Sequence, residues 1–436
     1  MKSDYQFVTI RRPAGLRLQG TIALPPSKSE TNRALVIGAF SDKPFTVENY
    51  SQSDDSRVVI EFLERAGIDI DRDDFSCTVR GNILDARPEE LDIDLHHAGT
   101  ALRFITALAT FLPTTTTLRG SEQLSRRPIA TLIDTLTNVG ANIDYLEEPG
   151  RLPIRIQGNP NLDPTSFKID VSQSSQMLSA LLLVAPRQAP GTRIYFDDNR
   201  LVSRSYIDLT LQVLKTLGIH WKWKASCLEL ESNTIAADRY RVGGDWSAAS
   251  YWLGLASTIE SDLILSNLEL DSAQGDRKQL DIFTGWGLQM RREEAGLHVL
   301  NQQGSLVQPI DVDFELMPDL VQTFAVLSCY ASSPSKLNHL KTLPFKETDR
   351  VQAICEQLTR LGVGVKRTTD GLKITPAPIA DPGPIETYED HRMALSFSLL
   401  VNMVERLQLH NPSVVNKSYP NFWDHLVDVG YELTFE

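Results

Sequence analysis

The chain has 436 residues, 42% of them hydrophobic and 23% charged, with a net charge of −13. That length exceeds one small core and predicts two domains, and the acidic balance excludes a general nucleic-acid surface, which needs a basic excess. The four cysteines form no CxxC pair, no HExxH, Walker A loop or GxGxxG occurs, and no apolar run reaches membrane-span length. A reduced, cytoplasmic, non-membrane protein without a zinc, nucleotide or dinucleotide site is expected. The opening MKSDYQFVTIRR lacks an apolar h-region, so no secretory signal is expected either.

In chain order, the first helix is announced by LPPSKSETNRALVIGAF, residues 24–40. Pro25 and Pro26 stop what precedes, Ser27 or Ser29 can cap, and the apolar run supplies a buried face. RVVIEFLERAGIDI follows: an amphipathic helix, a terminating glycine, then strand-forming residues. The two patterns then alternate. Apolar helices with polar starts recur in HHAGTALRFITALATFL, SQSSQMLSALLLVA, GDWSAASYWLGLAS, MPDLVQTFAVLSCYAS and EDHRMALSFSLLV. Amphipathic ones recur in PIATLIDTLTNVGANIDY, YIDLTLQVLKTLGIHW, QLDIFTGWGLQM, DRVQAICEQLTRLGVGVK and NFWDHLVDVGYELTF. The segments FTVENY, RLPIRIQG, TRIYFDD and DLILSNLEL between them read as strands.

The amphipathic class places glycines at 67, 140, 218, 287, 362 and 430, at spacings of 73, 78, 69, 75 and 68. Markers at the starts of the apolar class (Ser29, His97, Ser174, Ser247, Asp319 and Asp390) step by 68, 77, 73, 72 and 71. Six units of about 70 residues, three per domain around buried helices, give two similar halves of an α/β (α+β) protein. A repeat scaffold would carry inert turns, whereas these starts differ and hold Lys, Arg, Ser and carboxylates. Helix starts offer unpaired N–H groups and partial positive charge. If they converge, they make an anion site on an acidic protein. Lys28 and Arg33, Gly99 with Arg103, Ser174-Ser175-Gln176, Asp319 and Asp390-His391-Arg392 sit there, with SRRP, KETDR and VNKSYP nearby. This set suits two phosphorylated or carboxylated small molecules and a proton transfer.

The motifs SKSETNRA, HAGTALRF, RRP, SSQMLSALLL, SRSYID, GDWSAASY, MPD, KETDR, DHRMA and NKSYP resemble, in order and spacing, the 5-enolpyruvylshikimate-3-phosphate synthase family, from about Thr21 to Pro420. The resemblance implies two similar domains, each of three βαβαββ units, formed by residues 1–25 with 243–436 and by 26–242, with the active site in the cleft between them. It implies transfer of the enolpyruvyl group of phosphoenolpyruvate to the 5-hydroxyl of shikimate 3-phosphate, with release of phosphate and no metal or organic cofactor. Lys28 would contact both substrates. Ser29, Arg33, Ser174, Ser175, Gln176, Ser203, Tyr206, Asp319 and Lys346 would hold shikimate 3-phosphate. Gly99, Arg127, Gln176, Arg350, Arg392 and Lys417 would surround phosphoenolpyruvate. Asp319 would take the hydroxyl proton, and Glu347, with Lys28, would protonate the methylene carbon.

Four positions depart from the family pattern: Pro26, His96, His97 and Thr342. A histidine at 97, in place of asparagine, predicts that affinity for phosphoenolpyruvate falls as pH rises through its titration. UDP-N-acetylglucosamine enolpyruvyl transferase is the alternative function, disfavoured because LRGSEQLSRRP is short and lacks that family's cysteine. RNA 3′-phosphate cyclases use related units but need a nucleic-acid surface. The expected partners are the two small substrates alone, bound by a monomer.

Overall fold

The computed structural model of the chain describes residues 5–85, 88, 90–379 and 383–436. Helices form at every position the two patterns mark. The apolar class gives Lys28–Gly38, Gly99–Ala109, Gln176–Leu183, Trp246–Thr258, Val321–Leu327 and His391–Phe397. The amphipathic class gives Asp54–Arg65, Ala130–Asn138, Ser205–Thr216, Gln279–Gly285, Arg350–Arg360 and Phe422–Asp428. All-round apolar sequence produces all-round burial: every residue of Trp246–Thr258 and of His391–Phe397 is buried. Each large apolar side chain hidden this way stabilises the fold by about 1.5–3 kcal/mol. The terminating glycines at 67, 140, 218, 287, 362 and 430 all have φ between +85° and +103°, which a side chain would strain.

Strands assemble into six four-stranded sheets among the described residues. One shows the rule. Glu90–Asp94 and Thr115–Arg119 run parallel, joined through the helix Gly99–Ala109. Ile154–Gln157 pairs antiparallel with Thr115–Arg119, and Asn142–Tyr145 antiparallel with Ile154–Gln157. The order is therefore first, second, fourth, third, with helices in the two crossovers, and the remaining sheets repeat these directions. Distant chain completes some of them. Arg239–Arg241 pairs with Phe45–Glu48, Leu18–Ala23 with Ser261–Ser266, and Phe7–Arg11 inserts between Leu407–His410 and Glu432–Phe435.

These long-range pairings divide the chain into two units of three sheets. One runs up to Pro25 and resumes at Gly244–Glu436; the other is Pro26–Gly243. Gly243 falls in the second unit, one residue from the expected boundary. Its carbonyl accepts from Ser27 N at 2.8 Å and its N–H donates to Glu30 Oε2 at 3.2 Å.

Some strands are shorter than the sequence suggests. Asn49, Asn267, His339 and Asn411, each the first residue after a sheet's second strand, have φ between +48° and +64°. Asparagine tolerates this region, and it ends the strand at once. FTVENY is thus extended only to Glu48 and DLILSNLEL only to Ser266. In RLPIRIQG the ladder begins at Ile154, and in TRIYFDD it ends at Tyr195.

Candidate active site

In the unit Pro26–Gly243, three buried helices pack against one another with polar starts: Lys28–Gly38, Gly99–Ala109 and Gln176–Leu183. Ser27, not Ser29, is the cap, its Oγ accepting from Glu30 N at 3.3 Å. That leaves the Ser29 hydroxyl out of the cap, one residue after Lys28. Lys28 Nζ lies 2.9 Å from Asp55 Oδ2, at the start of the next helix, and Asp55 is itself buried.

Arg33 is buried in full. Its guanidinium donates to Thr210 Oγ1 at 2.8 Å, to the Ser29 carbonyl at 2.8 Å and to the Tyr206 carbonyl at 3.4 Å. It also lies 5.3 Å from the Phe104 ring centre. Burial pulls its pKa down to about 10 although Tyr206 and Glu30 oppose the shift. Arg33 therefore stands beneath Ser29 and Tyr206, joined to their backbone. The Ser174-Ser175-Gln176 trio opens its helix differently from a simple cap. Ser174 Oγ accepts from Gln176 N at 3.3 Å, while the Ser175 hydroxyl donates to the Ser203 carbonyl at 3.1 Å, at a residue whose φ is +50°. Gln176 Nε2 reaches Thr100 Oγ1 at 3.5 Å, which ties two helix starts together.

Arg127 follows the short helix Glu122–Ser125 and lies over Gly99. A Cβ on Gly99 would sit 2.0 Å from Arg127 Nη1, so only glycine admits the guanidinium there. Arg103 braces the same helix start from inside, donating to the Gly99 carbonyl at 2.8 Å and to the Pro128 carbonyl. His97 is exposed, its Nδ1 2.9 Å from Ser121 Oγ and 3.1 Å from Gln123 Oε1.

In the other unit the predicted residues form a dense ion-pair lattice. Asp319 is not an N-cap. It lies inside the 3₁₀ turn Pro318–Leu320, and its carboxylate faces three cations. Oδ1 accepts from Lys346 Nζ at 3.2 Å and Arg350 Nη1 at 2.9 Å; Oδ2 accepts from Arg392 Nη2 at 2.9 Å. Arg350, 1% exposed, also bonds Glu347 Oε2 at 2.8 Å and Asp390 at 2.7 Å, and Lys417 Nζ lies 3.2 Å from Glu347 Oε1. Burial works against the Arg350 and Arg392 charges. Asp390, Glu347 and Asp319 outweigh it at Arg350, and Asp319 foremost at Arg392, holding both above the ordinary arginine value. Arg392 further contacts Ser247 Oγ at 3.2 Å and Tyr251 OH at 3.3 Å, so the starts of all three buried helices in this unit meet at one guanidinium. Asp349 caps the helix after KETDR by accepting from Gln352 N at 2.9 Å, which fixes Lys346 and Glu347 one turn upstream.

Sequence reasoning missed the partners: Asp55 for Lys28, Asp390 for Arg350, and Ser247 with Asp276 for Arg392. Asp390 read as an acid at a helix start and Ser247 as a repeat marker, while Asp55 lies just ahead of the segment RVVIEFLERAGIDI and was not singled out. Nothing local marks Asp276.

A family model described as EPSP synthase (3-phosphoshikimate 1-carboxyvinyltransferase) matches residues 13–426. A 3-phosphoshikimate 1-carboxyvinyltransferase from Bacteroides fragilis is 34% identical over 420 residues, 95% of this chain and 96% of that one. One from Methanospirillum hungatei is 33% identical over 409 residues, covering 92% and 94%. Among solved structures, an EPSP synthase from Acinetobacter baumannii superposes with a TM-score of 0.79 at 21% identity over 98% of this chain and all of that one. The enolpyruvyl transferase NikO from Streptomyces tendae gives 0.76 at 16% identity over 99% of each chain, a likeness of fold.

Proposed function

The chain belongs to the EPSP synthase family, and on that premise we propose that it transfers the carboxyvinyl group of phosphoenolpyruvate to the 5-hydroxyl of shikimate 3-phosphate. The match over residues 13–426 is the observation that carries this reading. The reaction serves the shikimate pathway to aromatic amino acids. It runs in the cytoplasm, on a monomer that binds small anions and no nucleic acid. The net charge of −13 supports the last point, and no described helix is long and apolar enough to cross a membrane.

In this reading both polar clusters act on the same pair of substrates. Lys28, Ser29, Ser174, Ser175, Gln176, Ser203 and Tyr206 hold shikimate 3-phosphate. Arg33 holds it from below, through the backbone of Ser29 and Tyr206. Gly99 with Arg127, Gln176, Arg350, Arg392 and Lys417 hold phosphoenolpyruvate. Asp319 removes the proton of the 5-hydroxyl while that oxygen bonds to C2 of phosphoenolpyruvate. Glu347, assisted by Lys28, delivers a proton to the methylene carbon, giving a tetrahedral intermediate that keeps phosphate and carboxylate on one carbon. Loss of a methyl proton and departure of phosphate restore the double bond. The lattice around Asp319 suits this order of events: incoming anions take over the cations now bonded to its oxygens and leave the carboxylate open to a hydroxyl.

The test is phosphate release on mixing the protein with both substrates. Release that requires both, with the carboxyvinyl product seen by mass, is expected. Release with UDP-N-acetylglucosamine instead favours the alternative transferase, and none with either acceptor overturns the reading.

A further inference from the structure

Asp276 is a carboxylic acid buried beside the lattice, and no step above uses it. It lies in the 3₁₀ turn Gly275–Lys278 and is 7% exposed. Gln279 Nε2 pins that turn, donating to the Asp276 carbonyl at 2.8 Å and to the Trp246 carbonyl at 2.6 Å. The Ser247 hydroxyl donates to Asp276 Oδ2, and Ser247 Oγ in turn accepts from Arg392 Nη2 at 3.2 Å. Arg392 Nη2 continues to Asp319 Oδ2 at 2.9 Å. A four-membered chain thus runs from a carboxyl outside the site, through a hydroxyl and a guanidinium, to the proposed base.

We propose that Asp276 is a positioning residue for phosphoenolpyruvate, acting through the Ser247 hydroxyl on the Arg392 guanidinium, and that its ionisation weakens the hold of Arg392 on the substrate anion. The proposal rests on the carboxyvinyl-transfer reading above.

Charge balance gives the sign. Four cations (Lys346, Arg350, Arg392, Lys417) face three carboxylates (Asp319, Glu347, Asp390) in the lattice. Asp245 adds a fourth carboxylate that acts on Arg392, so with Asp276 neutral the cluster is balanced; with Asp276 ionised it carries one further negative charge, which opposes an arriving anion. The groups whose charge Asp276 feels are Asp319, Arg392 and Asp245, while Arg277 and Lys278 on its own turn are exposed. Burial first, and the Asp319 charge second, push the Asp276 carboxyl up to about 7, against the pull of Arg392 and the Ser247 hydrogen bond. A bound anion disfavours the ionised form further, so the liganded value exceeds the free one. Affinity must then fall as pH rises from the free value to the liganded one, by tenfold for each unit between them.

The experiment is the pH dependence of kcat and KM for phosphoenolpyruvate, in the parent and in Asp276→Asn, which accepts the Ser247 hydrogen bond but never ionises. We expect the parent KM to rise about threefold to tenfold between about pH 6 and 9 and the variant KM to rise less, with the kcat ratio of the two constant. Superimposable KM profiles overturn the proposal, as does a variant defect that falls on kcat alone. Should Asp276→Asn not fold, Asp276→Ser carries the same expectation. Ser247→Ala tests the route: a raised KM supports it, and an unchanged one overturns it. A parent that releases no phosphate at any pH overturns the transferase reading and this inference with it. An active parent with matching profiles overturns this inference alone.

Discussion

The two units share one architecture and surround their buried arginines in opposite ways, although Lys28 of the unit Pro26–Gly243 is paired with Asp55. In the unit ending at Glu436, cations are paired in advance: Arg350 alone bonds Asp319, Glu347 and Asp390. In the unit Pro26–Gly243, Arg33 bonds hydroxyls and carbonyls instead, and burial lowers its pKa where Arg350 and Arg392 are raised. Dipoles satisfy the geometry of a guanidinium without cancelling its charge. The first arrangement holds carboxylates among counter-ions, and in the proposed reaction these are the groups that handle protons once anions compete for the cations. The second keeps positive potential beneath hydroxyls and an amide, a surface suited to holding a polyol phosphate.

The largest expected effect comes from taking the carboxylate out of the paired unit. If Asp319 is the base proposed above, Asp319→Ala should lower kcat about 10²- to 10⁴-fold while shikimate 3-phosphate still binds. Turnover measured alongside calorimetric binding decides it, and a kcat within a few-fold of the parent would remove Asp319 from that role. In the other unit the comparable change removes the proposed anchor. Arg127→Ala should raise KM for phosphoenolpyruvate about 10- to 100-fold, the worth of a charge-assisted hydrogen bond, with a smaller change in kcat. An equal loss in kcat would mean that Arg127 acts on the transition state alone and would blur the division between the units.

Gly99→Ala probes the same anchor indirectly. The new Cβ would lie 2.0 Å from Arg127 Nη1, so the guanidinium must move, and KM for phosphoenolpyruvate should rise by about threefold to 30-fold. The double variant checks the cause. If Gly99→Ala acts by displacing Arg127, adding it to Arg127→Ala costs little more; full additivity would mean that the glycine acts on something else.

What the sequence made legible was periodic. Six left-handed glycines and six mostly apolar helices announce themselves at intervals of about 70 residues, so the repeat, the helices and the polar starts could be read locally. What stayed hidden depends on contacts across sequence. No local pattern says that Phe7–Arg11 completes a sheet with Leu407–His410, although the recurring Asn49, Asn267 and Asn411 after second strands was a signal that could have set strand ends. The same holds in the site. The lysines and arginines were legible because each stands in or just ahead of a helix-start motif, but their pairing with counter-ions was not. Asp276 reaches Arg392 only through a serine 29 residues away.

The smallest expected effect belongs to His97→Asn. His97 is exposed, where water screens its charge, and its Nδ1 meets Ser121 Oγ at 2.9 Å and Gln123 Oε1 at 3.1 Å. Ser121 caps the short helix that precedes Arg127, its Oγ accepting from Leu124 N at 3.2 Å. His97 therefore steadies the turn that presents Arg127. Asparagine keeps a donor and an acceptor at that place, so KM for phosphoenolpyruvate should change less than about threefold, within the range of one neutral hydrogen bond. The pH profile separates it from Asp276. The buried carboxyl is joined to Arg392 through hydrogen bonds, whereas the exposed imidazole meets Ser121 and Gln123. His97→Asn should keep the rise of KM with pH that Asp276→Asn loses. A flat profile in His97→Asn would place the pH-sensitive element in the unit Pro26–Gly243.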